Sequence, residues 1–529
     1  MESKYTKDEI LEGYLNVIYF DHGIYGIKDA AKFYFNKSVG ELTLAEAAVL
    51  TAIPKGPSYY SPIRNPENNN ERKELIISEL KSDGKITDIE ASVALNEELT
   101  FYGKIDKTND YNAPYYQDVI IHELKDLGIF LDNDIKSIKV HTSLDLNLTG
   151  IALKALEKYP PNNKDLQIAI YGINPQNGEV LSLIGGTNYA DSTFNRAVDA
   201  LRQPGSTIKP FLYYAALNNG FTPITTFKSA KTDFYYDGKL YSPGNFAEIY
   251  ANQDITMAYA IATSDNIYAV KTHLFLGTNT LTNTLKSFGF TTPIYNTPSL
   301  ALGTSEVKLS EITTGYARFG NLGRDIKPIY ITRITDEKDK VIYSNTDKSE
   351  QVYDGTNLRV LTETLTNIFD NKLRINISTT GASISNMLTR PYAAKTGTTD
   401  FDSWIIGYNP NIALGIWCGY DDSRDLSPND ARFIKYLWAE IMENYNKNLP
   451  VAWYDDTDEI VTIKVNPITG LLAKSGEYEK SLYFNANNIP YYLFDTPKEE
   501  TPKEEEEPLP PLFPDFLYPD DYFIEETLD

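Results

Sequence analysis

Ser206 and Lys209 stand three residues apart in RQPGSTIKP, residues 202–210, directly behind Pro204 and Gly205. If a helix begins at Ser206, one turn separates the hydroxyl from the amine and both side chains project from the same face. Pro210 is compatible with such a start, because the amides of a first turn have no partner inside the helix and a missing donor there costs little. A serine at the positive end of a helix dipole is well placed to stabilise a developing oxyanion. A lysine held out of water loses its proton readily enough to act as a base. The pair therefore predicts a nucleophilic serine activated without histidine. Alone it is a weak signal: roughly two S-x-x-K matches arise by chance in a chain of this length, and Ser78 with Lys81 and Ser305 with Lys308 are other examples here. Both of those read as solvated or structural.

Two tripeptides sharpen the prediction. Ser264, Asp265 and Asn266 form SDN, and Lys395, Thr396 and Gly397 form KTG, followed by Thr398 and Thr399. Either would pass for a helix cap or a turn by itself. Each arises by chance in roughly one such chain in ten, so all three motifs in this order point to one site. Ser206, Lys209 and Ser264 are the catalytic candidates, with the Ser264 hydroxyl relaying a proton between Lys209 and a leaving amine. Asn266, Lys395, Thr396, Gly397 and Thr398 are the substrate-binding candidates. Asn266 can hold the lysine head and a substrate backbone, and Lys395 with the Thr398 hydroxyl suits a terminal carboxylate. Gly397, lacking a side chain, lets a substrate strand lie along that edge. The amides of Ser206 and Thr398 would form an oxyanion hole, an effect of about 3 kcal/mol per donor in comparable sites.

The elements that must position these residues are of two kinds. The first hundred residues read as helical, with capping boxes at Thr6/Glu9, Thr43/Glu46 and Thr87/Glu90, each pair satisfying free amides at a helix start. After the first box, Ile10, Leu11, Tyr14, Leu15 and Ile18 fall on one helical face. Residues 54–66, rich in Pro, Ser, Tyr and Asn, read as a loop. From Gln167 the pattern changes to strand pairs around Asn174, Pro175, Asn177 and Gly178, and three short strands follow one another over 393–399, 404–408 and 412–420. Short connections imply antiparallel pairing, so the fold class is α+β.

Composition narrows the alternatives. The chain has 529 residues and a formal charge of −24. Residues 496–529 hold twelve acids against two lysines, so ten of those negative charges sit in an acidic, proline-rich tail expected to be disordered. The acidic body repels nucleic acid, which is excluded as a partner. Cys418 is the single cysteine, and the four histidines, His22, His122, His141 and His273, lack metal-ligand spacing. Neither a metal site nor a cofactor is expected. No run approaches the ~18 apolar residues of a spanning helix, and the opening MESKYTKDEILE shows no apolar export segment.

With its S-x-x-K, SDN and KTG set, the chain resembles the class A, bifunctional penicillin-binding proteins, for which that set is a known signature. The resemblance extends through FNRAVDALRQPGSTIKPFLY, LALGTSEVKLSEITTGYARFGNLG and KTGTTDFDSWIIGY with its Asp402 and Trp404. It implies a penicillin-binding serine-transpeptidase fold, an antiparallel sheet flanked by helices. A partial all-α, lysozyme-like glycosyltransferase domain would precede it, carried by KDEILEGYLN and YGIKDAAKFYFNKSVGELTLAEAAVLTAIPKGPSYYSPIRNP. The implied division is 1–100 glycosyltransferase remainder, 101–165 linker region, 166–450 transpeptidase domain, 451–495 small β appendage and 496–529 tail. The implied activity is cross-linking of peptidoglycan stem peptides ending in D-Ala-D-Ala through a Ser206 acyl-enzyme, with β-lactams as covalent inhibitors. A D,D-carboxypeptidase or β-lactam hydrolase, or a non-catalytic β-lactam-binding scaffold, are the competing expectations. The family's earlier glutamate-bearing motifs and its membrane anchor have no counterpart, which reads as an N-terminal truncation. Lys7, Glu12 and Asn16 are therefore expected to pack rather than catalyse, glycan polymerisation is expected to be absent, and the cut is expected to expose apolar surface. Location at the outer face of the cell membrane follows from the resemblance alone.

Overall fold

The computed structural model describes residues 5–22, 24–103, 113–129, 137–346, 349–493 and 524–525. The tail at 496–529 lies outside them except for its short strand Ile524–Glu525, as do 104–112 and 130–136 of the linker region. The chain divides into two compact units, Met1–Asn112 and Ala113–Asp529.

The first unit is helical: α1 Lys7–Val17, α2 Ile27–Phe35, α3 Leu44–Ala52, α4 Pro66–Ser82 and α5 Asp88–Asn96. Each anticipated capping box is formed. At Thr43 the hydroxyl accepts from the Glu46 amide at 3.2 Å and the Thr43 amide returns a bond to Glu46 Oε2 at 2.8 Å. Thr6/Glu9 and Thr87/Glu90 repeat the arrangement, and a fourth box, Ser38/Glu41, starts a single 3-10 turn. One core packs Phe20, Tyr34, Phe35, Leu50 and Ile53, and a second joins Ala45, Ala48, Ile77, Ala91 and Ala94. α1 buries none of its residues, and Leu11, Tyr14 and Val17 face solvent.

The second unit opens with α6 Pro114–Asp126 and α7 Leu146–Lys158. Tyr115, Tyr116, Ile120, Leu124 and Leu148 from this stretch join the second unit's core. The central sheet has five strands: β1 Gln167–Ile173, β2 Val180–Ile184, β3 Ala393–Thr398, β4 Asp402–Asn409 and β5 Ile412–Gly419. Their spatial order is β3-β4-β5-β1-β2 and every pairing is antiparallel. All of β4 and β5 is buried, which is why residues 404–408 of β4 and the whole of β5 read as apolar runs rather than alternating ones.

Helices cover both faces of that sheet. α8 Lys209–Asn218, α9 Met257–Thr263, α10 Asn266–Leu276, α11 Thr278–Ser287, α12 Leu309–Gly320, α13 Gly355–Leu365 and α14 Pro428–Asn446 complete the helical set. Gly415 lies under Thr313 and Leu309 of α12, while Gly407 lies under Trp438 of α14. Ile406 pairs with Gly415 and Gly407 with Leu414, so the two glycines look out from opposite faces, and α12 and α14 sandwich the sheet. A hairpin of strands Ile460–Val465 and Lys480–Asn485 forms the small β element near the end of the unit, sharing a core of Val465, Leu482 and Phe484 with Ile224 and Ala258.

Candidate active site

The nucleophile candidate sits on a 3-10 turn, Gly205–Ile208, that runs straight into α8. The helix so expected at Ser206 begins as this tighter turn because Gly205 enters it at φ +54° and the Thr207 hydroxyl folds back onto the Pro204 carbonyl at 2.7 Å. Three neighbours hold the turn. Trp404 Nε1 donates to the Gln203 carbonyl at 2.8 Å, the Tyr316 hydroxyl donates to the Thr207 carbonyl at 2.7 Å, and Gly303 lies against the backbone of Gly205.

Lys209 is the first residue of α8 and fully buried. Its Nζ donates to the Ser264 carbonyl at 2.8 Å, the Asp265 carbonyl at 3.1 Å and Asn266 Oδ1 at 2.7 Å; Ser206 is not among its partners. Burial brings the amine down to about 7, while the Asp265 carboxylate opposes the fall. The SDN motif thus links two helices: Ser264 ends α9 in the left-handed conformation (φ +62°), and Asp265 caps α10 through the Tyr268 amide at 2.8 Å. The Ser264 hydroxyl accepts from Lys395 Nζ at 2.8 Å. The expected proton relay would bring this hydroxyl to Lys209; here Lys209 meets the Ser264 carbonyl and the hydroxyl meets Lys395.

Lys395 and Gly397 come from β3, the edge strand, whose far side is left unpaired by the sheet. Lys395 is buried, also donates to the Thr396 carbonyl at 2.9 Å, and is held well below the ordinary lysine range by burial and then by Lys209 and Lys435. Thr396 is buried and Thr398 exposed. A side chain on Gly397 would strike the Pro204 carbonyl and come within 3.1 Å of the Thr207 nitrogen. Its bareness therefore seats the nucleophile's own turn, a different reason from the substrate-strand clearance expected from sequence. Gly205 rests in the same way against the Thr398 backbone, 3.2 Å from its nitrogen to the position a Cβ would take, so the amides of Ser206 and Thr398 belong to touching segments.

Asn245, Ser229, Gly303 and Tyr316 support the site without belonging to any motif. The alternative S-x-x-K pairs do not join it: Lys81 pairs with Asp88, and Ser305 accepts from the Tyr295 amide at 3.0 Å. His273 is buried, bonded to the Thr297 carbonyl and pushed down to about 4 by burial. Among the described residues no cluster of His, Cys, Asp or Glu could hold a metal, and no helix is long and apolar enough to cross a membrane.

Comparison with known proteins gives the family. A family model for the penicillin-binding protein transpeptidase domain matches residues 168–421, and a transglycosylase model matches residues 1–81. Penicillin-binding protein 2D of Bacillus subtilis is 42% identical over 481 residues, covering 90% of this chain and 70% of the relative. Penicillin-binding protein 1A of Aquifex aeolicus is 30% identical, covering 89% and 76%. The crystal structure of penicillin-binding protein 1A from Haemophilus influenzae superposes with a TM-score of 0.71 at 22% identity, covering 92% of each chain, and shares the fold. The chain belongs to the class A penicillin-binding proteins, and its second unit carries their penicillin-binding transpeptidase domain.

Proposed function

We propose that the chain cross-links peptidoglycan stem peptides ending in D-Ala-D-Ala, with Ser206 as nucleophile and Lys209 as its base. The observation that carries this reading is a fully buried lysine, poised at about 7 and one turn beyond the serine. Because three acceptors surround its Nζ, Lys209 exchanges one of those bonds for the Ser206 hydroxyl when it takes that proton. Ser206 Oγ then bonds to the penultimate D-Ala carbonyl carbon, and the oxyanion is received by the amides of Ser206 and Thr398. The C–N bond breaks, and the leaving D-Ala nitrogen takes its proton through Ser264, whose hydroxyl already accepts from Lys395. Lys395 and Thr398 on the open edge strand hold the terminal carboxylate, with Thr396, Asn266 and the bare backbone at Gly397 beside them. An amine from a second stem peptide attacks the ester carbonyl and gives up its proton to Ser264 and Lys395, while the expelled Ser206 oxygen takes back the proton held by Lys209. A β-lactam follows the first half of this course and stops at the ester. The membrane's outer face, the family's place of work, is the proposed location.

Residues 1–81 are proposed not to polymerise glycan by themselves. Among the described residues of this stretch the two buried carboxylates are both committed: Asp21 to Arg64 at 2.9 Å, and Glu46 to Lys37 and the Thr43 cap. Neither is free to act as the general acid or base that glycosyl transfer needs; polymerisation of a lipid-linked disaccharide by this chain would refute the statement.

Labelling with a fluorescent penicillin tests the nucleophile. Ser206→Ala abolishes the label, whereas Ser78→Ala and Ser305→Ala keep it. Incubation with donor and acceptor peptides tests the transfer step: release of hydrolysed donor alone would make the protein a carboxypeptidase.

A further inference from the structure

The SDN turn is not held by its own helices alone. A serine in the left-handed region costs about 1 kcal/mol or more, and Ser264 adopts it at φ +62° between the end of α9 and the start of α10. Such a turn needs bonds from outside, and beside those of Lys209, Lys395 and the Ser229 hydroxyl a further set comes from one side chain, Asn245. Its Oδ1 accepts from the amides of Asn266 at 2.8 Å and Ile267 at 3.3 Å. Its Nδ2 donates to Asp265 Oδ2 at 2.7 Å and to the Ile249 carbonyl at 3.2 Å. The partners dictate the orientation of the amide, with N–H groups facing its oxygen and a carboxylate facing its nitrogen. Asp265 is buried and also accepts from the Ser229 hydroxyl at 2.5 Å. Every acceptor of Lys209 Nζ lies on this three-residue turn, and Asn245 binds two of the three residues.

We infer that Asn245 is a positioning residue for acylation: by fixing Asp265 and Asn266 it sets where the turn holds Lys209 relative to Ser206. The inference rests on the reading of Lys209 as the base. Asn245 makes no hydrogen bond to Lys209 or Ser206, so the effect of its bonds passes through the turn.

Few titratable groups face Asp265. Lys209 does so from the first turn of α8, and Tyr213, Tyr259 and Tyr268 do so from α8, α9 and α10, all three kept neutral by burial that raises their phenols. Tyr250, on the loop that carries Asn245, is likewise raised and donates to Glu248 at 2.7 Å. Lys395 reaches the group from β3 through Lys209.

The test is the second-order rate of acylation by fluorescent penicillin, followed against pH in whole-chain variants whose melting temperatures are recorded over the same range. Asn245→Asp keeps the acceptor oxygen for Asn266 and Ile267 but turns a second carboxyl toward Asp265, and two carboxyls in contact share a proton. While shared, that proton restores the missing donor; once lost, the carboxylates repel and the turn opens. The Asn245→Asp variant is therefore expected to lose rate as pH rises, where the unaltered protein gains rate as Lys209 deprotonates. Asn245→Ala is expected to acylate roughly 10- to 100-fold more slowly at every pH, as a misplaced catalytic group does. Thr272→Ala, which deletes a buried hydroxyl bonded to the Tyr268 carbonyl further along α10, lowers the melting temperature and leaves the pH profile in place. Folded Asn245 variants whose profiles superimpose on the unaltered protein's overturn the inference. An Asn245→Asp chain unfolded at every pH also overturns it, since Asn245 would then serve the fold and not the acylation step. An unaltered chain that takes no label would instead bring down the acylation reading itself.

Discussion

Replacing Gly303 by alanine perturbs the nucleophile from outside all three motifs. Gly303 adopts φ +78°, and a methyl group there would lie 2.6 Å from the Gly205 nitrogen and nearer still to the Gly205 oxygen. Ordinary contact begins at 3.4 Å, so the two segments must separate by roughly 0.8 Å or more, against backbone atoms that cannot rotate away. Gly205 cannot retreat freely, because the Thr398 backbone stands on its other side. The displacement therefore reaches the next residue, Ser206. A shift of about 1 Å in a reacting group costs on the order of 100-fold in rate, about 2.7 kcal/mol of barrier. Stability falls as well, by roughly 1–2 kcal/mol for an alanine at positive φ and about 1–3 kcal/mol for overpacking. Gly220→Ala is the control: φ is +88° there, with nothing within 4 Å of the added methyl, so it carries the backbone penalty without the contact. The assay is acylation by fluorescent penicillin beside urea unfolding. Gly303→Ala is expected to acylate about 100-fold more slowly, and Gly220→Ala at the unaltered rate. A folded Gly303→Ala within threefold of the unaltered rate, or an equal loss in Gly220→Ala, refutes the reasoning.

Further outcomes concern the bases and the clamp. The acylation rate should rise with pH through about 7, because Lys209 must be neutral to accept the serine proton; a rate independent of pH across that range would remove Lys209 from the role. The lowered amine also affects folding, since between about 7 and the ordinary 10.5 the unfolded chain carries a proton on Lys209 that the folded chain does not, so stability rises with pH in that window. Lys209→Met should reduce the slope of unfolding free energy there by up to about 1.4 kcal/mol per pH unit, the contribution of one proton, and an unchanged slope would contradict the buried neutral amine. Trp404→Phe removes the indole bond to the Gln203 carbonyl and should cost about 1 kcal/mol of stability together with a several-fold slower acylation; a stability loss with an unchanged rate would confine Trp404 to packing.

What the sequence made legible was local or locally punctuated. Capping boxes declare themselves because cap and partner lie three residues apart, and all three foreseen ones formed; Ser38/Glu41 escaped notice because it starts only one short turn. The strands of the central sheet were marked by turn residues and unbroken apolar runs. Residue type brought Ser206, Lys209, Ser264 and Lys395 forward as candidates, but spacing could not say which lysine the Ser264 hydroxyl would meet, since that depends on how β3 lies across the end of α9. Gly397 was picked out for its open edge alone, and its second neighbour, the Pro204 carbonyl, was hidden because it is almost two hundred residues away in the chain. Asn245 was invisible for a related reason. It acts through backbone amides, which every residue except proline possesses, so neither its type nor its position in the loop announces the partner.

The site concentrates local conflicts that the rest of the unit must outweigh. Two lysines are buried within electrostatic reach of each other, a serine sits at positive φ, and glycine backbones are pressed together at Gly205 and Gly303. None of these would be stable in isolation. The sandwich of α12 and α14 around a sheet with fully buried central strands supplies the rigidity that keeps them in place, and the cost to stability is matched by a chemical gain. A solvated lysine would hold its proton at neutral pH and could not deprotonate Ser206, whereas one poised at about 7 by burial can. The same burial forbids a fully hydrated ammonium, so the proton Lys209 collects must be shared with the acceptors of the SDN turn. With Lys209 in its proposed role as base, that requirement would join the conformation of Ser264, the bonds of Asn245 and the chemistry of Ser206 into one mechanical unit, in which a displacement of any member would change the lysine's proton affinity.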